Sequence, residues 1–142
     1  MDVLIVEDDD EVASTLEAVL WALGHSCAVA WSLEEAVNAA RLDWFDAYII
    51  NLDLGECGGP AVLGALRREE MGIHAARAIG WTAVPDLWRF SRAAGLFDAV
   101  MAKPASMRAL VAALQGCACP DCMAPLNANH LASPCQWPTS FL

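Results

Sequence analysis

Val3-Leu4-Ile5-Val6-Glu7-Asp8-Asp9 is an uninterrupted apolar run that ends abruptly on carboxylates. A strand covered on both faces reads this way, without alternation of apolar and polar residues, and such strands belong to parallel sheets flanked by helices. The acidic step after Val6 then sits at the strand's carboxyl end, where sheets of this kind open into a cleft. Immediately downstream, Val12, Leu16, Val19, Leu20 and Leu23 recur at helical spacing, and Gly24 supplies a stop, which predicts a helix over 12–23.

Outward from that unit the same alternation repeats. Residues 27–31 read as a strand, with Ser32 capping a helix over 33–42. Residues 47–50 form another buried strand. Gly55, Gly58, Gly59 and Pro60 make a turn before a helix over 61–70, and 76–81 is the next strand. Pro85 opens a helix over 86–94 that Gly95 closes. Residues 99–102 form a fifth strand, and Ser106 caps a last helix running to Leu114. Strict βα alternation with short connections defines an α/β fold, a five-stranded parallel sheet with helices on both faces.

The 142 residues suffice for one such domain, expected over 1–116, followed by a tail over 117–142. With 57% hydrophobic and 18% charged residues, enough apolar surface is available to offset the entropy of ordering the chain. A net charge of -10 repels phosphate backbones and anionic lipid, which argues against nucleic-acid and membrane partners. No apolar run reaches the roughly 20 residues that cross a bilayer, and Met1-Asp2-Val3 does not begin a basic leader, so the expected location is the cytoplasm. Of six cysteines, Cys27 and Cys57 lie far apart, while Cys117, Cys119, Cys122 and Cys135 crowd into the tail. Reduced thiols fit this spacing better than a disulfide framework. No glycine-rich fingerprint follows the first strand, which argues against a dinucleotide, and no Ser/Thr/Gly-rich phosphate loop stands there for a flavin.

The strand ends carry the chemistry. Glu7 and Asp8 follow the first strand, Asn51 the third, Thr82 the fourth and Lys103 the fifth. Any one of these reads equally well as a solvated loop residue. Together and in order they converge on one cleft.

These segments resemble the receiver domain of two-component response regulators over residues 1–115. The resemblance is carried by Val3-Leu4-Ile5-Val6-Glu7-Asp8-Asp9, by Phe45-Asp46-Ala47-Tyr48-Ile49-Ile50-Asn51-Leu52-Asp53-Leu54, by Trp81-Thr82-Ala83 and by Ala102-Lys103-Pro104. It implies the (βα)5 flavodoxin-like receiver fold and, in the family, an aspartate that takes a phosphoryl group from a phosphohistidine with Mg²⁺ bound beside it. By resemblance Glu7 and Asp8 are the acidic pair for the metal, Thr82 the hydroxyl switch residue and Lys103 the ammonium that neutralises the phosphoryl charge. The residue at the place of Asp53 offers the metal its backbone carbonyl.

The chain departs from the family at Asn51, which stands where the acceptor aspartate belongs. A carboxamide is neutral and weakly nucleophilic, so it does not form the acyl phosphate, and it removes one charged oxygen ligand from the metal. Normal phosphorylation is then blocked or altered and Mg²⁺ binding weakened. Two origins give this sequence: a pseudo-receiver acting through constitutive contacts, or an active receiver changed from aspartate to asparagine. Were the third strand to continue, Asp53 would share the face of Asn51 about 6 to 7 Å further on, past Thr82 and Lys103. Asp53 as a substitute phosphoacceptor is the alternative reading. A second departure is Val100, where many family members carry an aromatic switch residue; strand packing is its expected role.

Other features have structural and functional readings side by side. Trp81, Trp88 and Phe90 belong to the region that receivers use to dimerise or dock, and the face made by the helix over 86–94, the fifth strand and the last helix is a candidate homodimer surface. As structural residues, Trp81 is core and Trp88 a partly buried cover. Trp21, Trp31 and Trp44 are assigned to packing. Cys117, Cys119, Cys122, His130 and Cys135 supply enough ligands for a zinc site in the tail, although a single Cys-x-x-Cys pair lacks the second pair of a finger. A zinc-binding interaction protein is therefore a further alternative. His25 and His74 are not placed as catalytic bases. The leading expectation is a non-enzymatic, single-domain signalling module of a phosphorelay whose partners are a histidine kinase, a phosphotransfer protein or an effector.

Overall fold

A computed structural model describes residues 1–70, 75–85 and 95–116. Five parallel strands, β1 (Asp2–Val6), β2 (Ser26–Ala30), β3 (Ala47–Asn51), β4 (Arg77–Thr82) and β5 (Ala99–Ala102), form one sheet in the order β2-β1-β3-β4-β5. The order turns back on itself between β1 and β3, which places a crevice at the carboxyl ends of those two central strands.

Helices α1 (Asp10–Ala22), α2 (Leu33–Leu42), α3 (Gly58–Glu69) and α4 (Met107–Gln115) cover the sheet. Alternate residues of each strand feed two cores. Val3 and Ile5 of β1, with Ala47 and Ile49 of β3, meet Leu16 and Leu20 of α1 and Leu110 and Leu114 of α4. Leu4 and Val6, with Tyr48 and Ile50, meet Ala36 of α2 and Val62, Leu63 and Leu66 of α3. Both faces are thus buried, as the unbroken apolar runs required, and each fully buried Val, Leu or Ile contributes roughly 1.5–3 kcal/mol.

Three of the four helix starts among the described residues are fixed by side-chain caps. Asp9 accepts from the N–H groups of Glu11 and Val12 at 3.0 and 3.1 Å and so starts α1 at Asp10, three residues after Glu7. Ser32 and Ser106 cap α2 and α4 as their positions predict, each accepting from the N–H three residues on. Helix α3 begins at Gly58, three residues before its predicted start. Pro60 is tolerated inside the first helical turn, where its missing N–H has no helical acceptor to satisfy. The turn expected over Gly58, Gly59 and Pro60 is therefore already helix.

Trp81 is core, 6% exposed, and Val100 packs against the second of the two clusters just described. The assignment of three other tryptophans to packing is corrected. Trp21 is 78% exposed, Trp44 68% and Trp31 46%. The buried stripe of α1 is Ala13, Leu16 and Leu20, so Trp21 is turned about 100° off it. Trp31 follows the edge strand β2, and Trp44 lies in the connection from α2 to β3. The helix over 86–94 with Trp88 and Phe90, the candidate dimer face that includes it, His74, and the tail with its candidate zinc ligands all lie outside the described residues.

Candidate functional site

Four strands end at the cleft, and each delivers a polar group to it. Glu7 follows β1 directly and is tied to the edge strand by its N–H, which donates to Ala30 O at 3.0 Å. Asn51 is the last residue of β3, Thr82 the last of β4, and Lys103 the first after β5, its N–H donating to Thr82 O at 2.7 Å. Glu7, Asn51 and Thr82 are all buried, an arrangement of polar groups that a fold of this size retains only when each is partnered.

Partners are present for each. Lys103 Nζ donates to Glu7 Oε2 at 2.6 Å, and the other Glu7 oxygen accepts from Asn51 Nδ2 at 3.0 Å and from Asp9 N–H at 3.1 Å. Asn51 Nδ2 also donates to Asp8 Oδ1 at 3.0 Å, so one carboxamide bridges both members of the acidic pair. Its oxygen accepts from the Asp53 N–H at 3.1 Å. Thr82 Oγ1 donates to Asp53 Oδ2 at 2.7 Å and accepts from Val84 N–H at 3.1 Å. Burial pushes the Asp8 carboxyl up, but contacts to the Glu7 and Asn51 side chains and the N–H groups of Asp8 and Gly55 act the other way and win, leaving it below the usual carboxylate range.

All the residues expected at the strand ends are therefore brought together. One expectation is corrected: Asp53 does not pass Thr82. Strand β3 stops at Asn51, the chain turns over Leu52 and Asp53, and the Asp53 carboxylate folds back onto the Thr82 hydroxyl. The turn is anchored by Leu52, which is fully buried, and by Gly59 N–H, which donates to Leu52 O at 2.8 Å. An added Cβ on Gly59 would lie 2.7 Å from Leu52 Cα and 2.8 Å from Asn51 O, so only glycine lets α3 approach this closely. Sequence periodicity alone could not locate Asp53, because its position depends on the residue at which pairing stops.

A divalent cation does not fit these side chains as they stand. Magnesium asks for an octahedron of oxygens. Here the group facing Glu7 and Asp8 from β3 is an N–H donor, and Glu7 Oε2 is already engaged by an ammonium. Among the described residues no cluster of three or more His, Cys, Asp or Glu side chains is arranged to hold a metal. No helix of the described residues is long and apolar enough to cross a membrane.

A doubly wound sheet of this order, with acid, amide, hydroxyl and ammonium groups converging at four strand ends, defines a receiver-type signalling module. The pattern of the response regulator receiver domain matches residues 3–115, and the chain belongs to that family. Solved structures agree. A receiver domain from Methylobacillus flagellatus is 29% identical with a TM-score of 0.73, over 82% of this chain and 98% of that one. The receiver domain of a sensor histidine kinase from Pseudomonas aeruginosa PAO1, solved with a magnesium ion coordinated in its active-site cleft, is 25% identical with a TM-score of 0.70, over 80% of this chain and 93% of that one. A response regulator from Burkholderia pseudomallei, solved with a phosphorylated aspartic acid, a calcium ion and citrate, is 26% identical with a TM-score of 0.64, over 80% of this chain and 66% of that one. No curated protein matches the sequence.

Proposed function

We propose that this receiver domain, spanning residues 1–116, works in the cytoplasm as a protein-binding signalling module that does not pass through aspartyl phosphorylation. Asn51 stands at the phosphoacceptor position, Glu7 and Asp8 form the acidic pair, Thr82 is the hydroxyl switch residue and Lys103 the phosphoryl-binding ammonium. The observation that carries the reading is the Asn51 carboxamide bridging Glu7 and Asp8 at 3.0 Å to each. Two relatives hold a metal ion in their solved structures, a magnesium ion in the active-site cleft of one and a calcium ion in the other. In this chain the amide takes the two carboxylates instead, so Mg²⁺ affinity is reduced and the cleft is held together by its own hydrogen bonds. A neutral amide also lacks the carboxylate oxygen that would attack phosphorus. Partners are a histidine kinase, a phosphotransfer protein or an effector that recognises the shape of the domain.

Intact mass after incubation with acetyl phosphate and Mg²⁺ tests this. The chain keeps its mass, while Asn51→Asp gains one phosphoryl group. A phosphoryl adduct on the chain itself that disappears in Asp53→Ala would show that Asp53 is the acceptor and that the reading is wrong.

A further inference from the structure

Among the described strands β2 is an edge of the sheet, and it pairs with β1 alone. Ser26 N–H donates to Met1 O at 2.9 Å and Ala30 O accepts from Glu7 N–H at 3.0 Å, so residues 26, 28 and 30 bond inward. In a parallel ladder the residues between them turn the other way, which leaves the N–H and C=O groups of Cys27 and Val29 on the open edge. Trp31 would continue the row, but Glu35 Oε2 accepts from its N–H at 2.9 Å and closes it there. Exposed edges are ordinarily blunted by lysine, proline or a bulge. Ser26-Cys27-Ala28-Val29-Ala30 has no charged residue and no proline, and it pairs with residues 2–6 in unbroken register.

Two exposed tryptophans frame this edge. Trp31 follows the strand directly, and Trp44 lines a groove of about 250 Å³ together with Ser26, Cys27 and Ala28. Large aromatic side chains of this kind anchor protein interfaces. The surrounding charge is of one sign. Residues 1–40 contain nine Asp and Glu and no Lys or Arg, and the first base, Arg41, is paired with Glu69 at 3.1 Å. Asp2 and Asp43 line the same groove, and Glu17 of α1 is close enough to Cys27 that its charge adds to burial in pushing that thiol up. A second copy of this chain would bring the same acids against them. Charge therefore selects against pairing of β2 with itself and for a partner rich in Lys and Arg.

We propose that the open edge of β2, between Trp31 and Trp44, docks an extended basic segment of another protein, which joins the five-stranded sheet as a further strand. Main-chain bonds to Cys27 and Val29 set its register, the two indoles cover its alternate side chains, and its Lys or Arg residues answer Asp2, Glu17 and Asp43. Only two residues of the edge are open, so the added segment is short, about four to six residues. The surface lies at the opposite edge of the sheet from β5 and Lys103. It goes beyond the reading of the cleft, since it depends neither on Asn51 nor on phosphorylation.

A synthetic peptide of about eight residues alternating Lys and Val, with a Glu-Val counterpart, tests this on the full chain by amide NMR and hydrogen exchange. The Lys-Val peptide should shift the Cys27 and Val29 amides and slow their exchange, while the exchange of Ala28 and Ala30, already bonded to β1, changes little. The Glu-Val peptide should not bind. Replacing both Trp31 and Trp44 by alanine should weaken binding about tenfold with the fold intact, because both side chains are exposed, and added salt should weaken it further. No protection of Cys27 and Val29, equal affinity for the two peptides, or undiminished affinity in the tryptophan variant would overturn the proposal. Protection that grows with the concentration of the chain alone would identify a second copy as the occupant and overturn it too. Acetyl phosphate enters none of these measurements, so the behaviour of Asn51→Asp bears on the cleft and leaves this result to be judged separately.

Discussion

Asn51 Nδ2 lies 3.0 Å from Glu7 Oε1, joining the last residue of β3 to the first residue after β1 across two paired central strands. The same nitrogen reaches Asp8, and the second Glu7 oxygen is held by Lys103. Acid, amide and ammonium thus close on one another where β1, β3 and β5 end. A carboxylate at position 51 would turn both amide contacts into repulsions between like charges, which a bound cation or protonation of one carboxyl relieves.

Lys103→Met strands Glu7, whose side chain is 1% exposed, without its counter-charge. Removing one partner of a buried pair costs about 3 kcal/mol. Urea unfolding should show a loss of that order with an unchanged denaturant slope. A loss below about 0.5 kcal/mol would mean that the pair behaves as a surface ion pair.

Gly59→Ala forces a Cβ to within 2.7 Å of Leu52 Cα and 2.8 Å of Asn51 O, both backbone atoms that have nowhere to go. The expected cost is about 2–3 kcal/mol, with displaced amide signals for residues 51–53. Gly80→Ala meets only side-chain atoms of Leu52, Cδ2 at 2.9 Å and Cγ at 3.2 Å, rather than backbone, so it should cost less. Thermal unfolding of the two variants side by side checks the order, and the reverse order would contradict the packing described.

Much of this was legible in the residues themselves. The runs Val3–Val6 and 47–50 could be buried only in a sheet covered on both faces, and Ser32 and Ser106 marked helix starts because their hydroxyls cap the following N–H groups. The convergence of Glu7, Asp8, Asn51, Thr82 and Lys103 was readable from the strand ends. What could not be read depended on three-dimensional choices. Helix α3 begins at Gly58 because the close approach of Gly59 to Leu52 lets it, although Gly-Gly-Pro reads as a turn. Trp21 is exposed because it follows Leu20 by a single residue on a helix whose stripe is already filled. The contact of Asp53 with Thr82 turns on β3 stopping at Asn51, a boundary that an apolar run does not mark.

Tyr48, the one tyrosine of the chain, reports on the α3 side of the sheet. Burial pushes its phenol well above the ordinary value, the Glu70 carboxylate adds to this, and the Arg67 guanidinium, 5.9 Å above the ring, opposes it. A raised value means that the folded state binds the proton more tightly than the unfolded chain. The contribution to stability is complete below the unfolded value of about 10 and is lost as pH rises beyond it. In an alkaline titration the phenolate absorption band should appear together with the loss of circular dichroism. Ionisation near pH ~10 with the fold intact would place Tyr48 in water.

That the Asn51 amide holds the acidic pair in place of a cation can be checked by calorimetric titration of Mg²⁺ into the chain and into Asn51→Asp. The chain should bind Mg²⁺ at least about tenfold more weakly than the variant, since the substitution adds a charged oxygen ligand and removes two hydrogen bonds that the metal must otherwise displace. Equal affinity in the two proteins would contradict it.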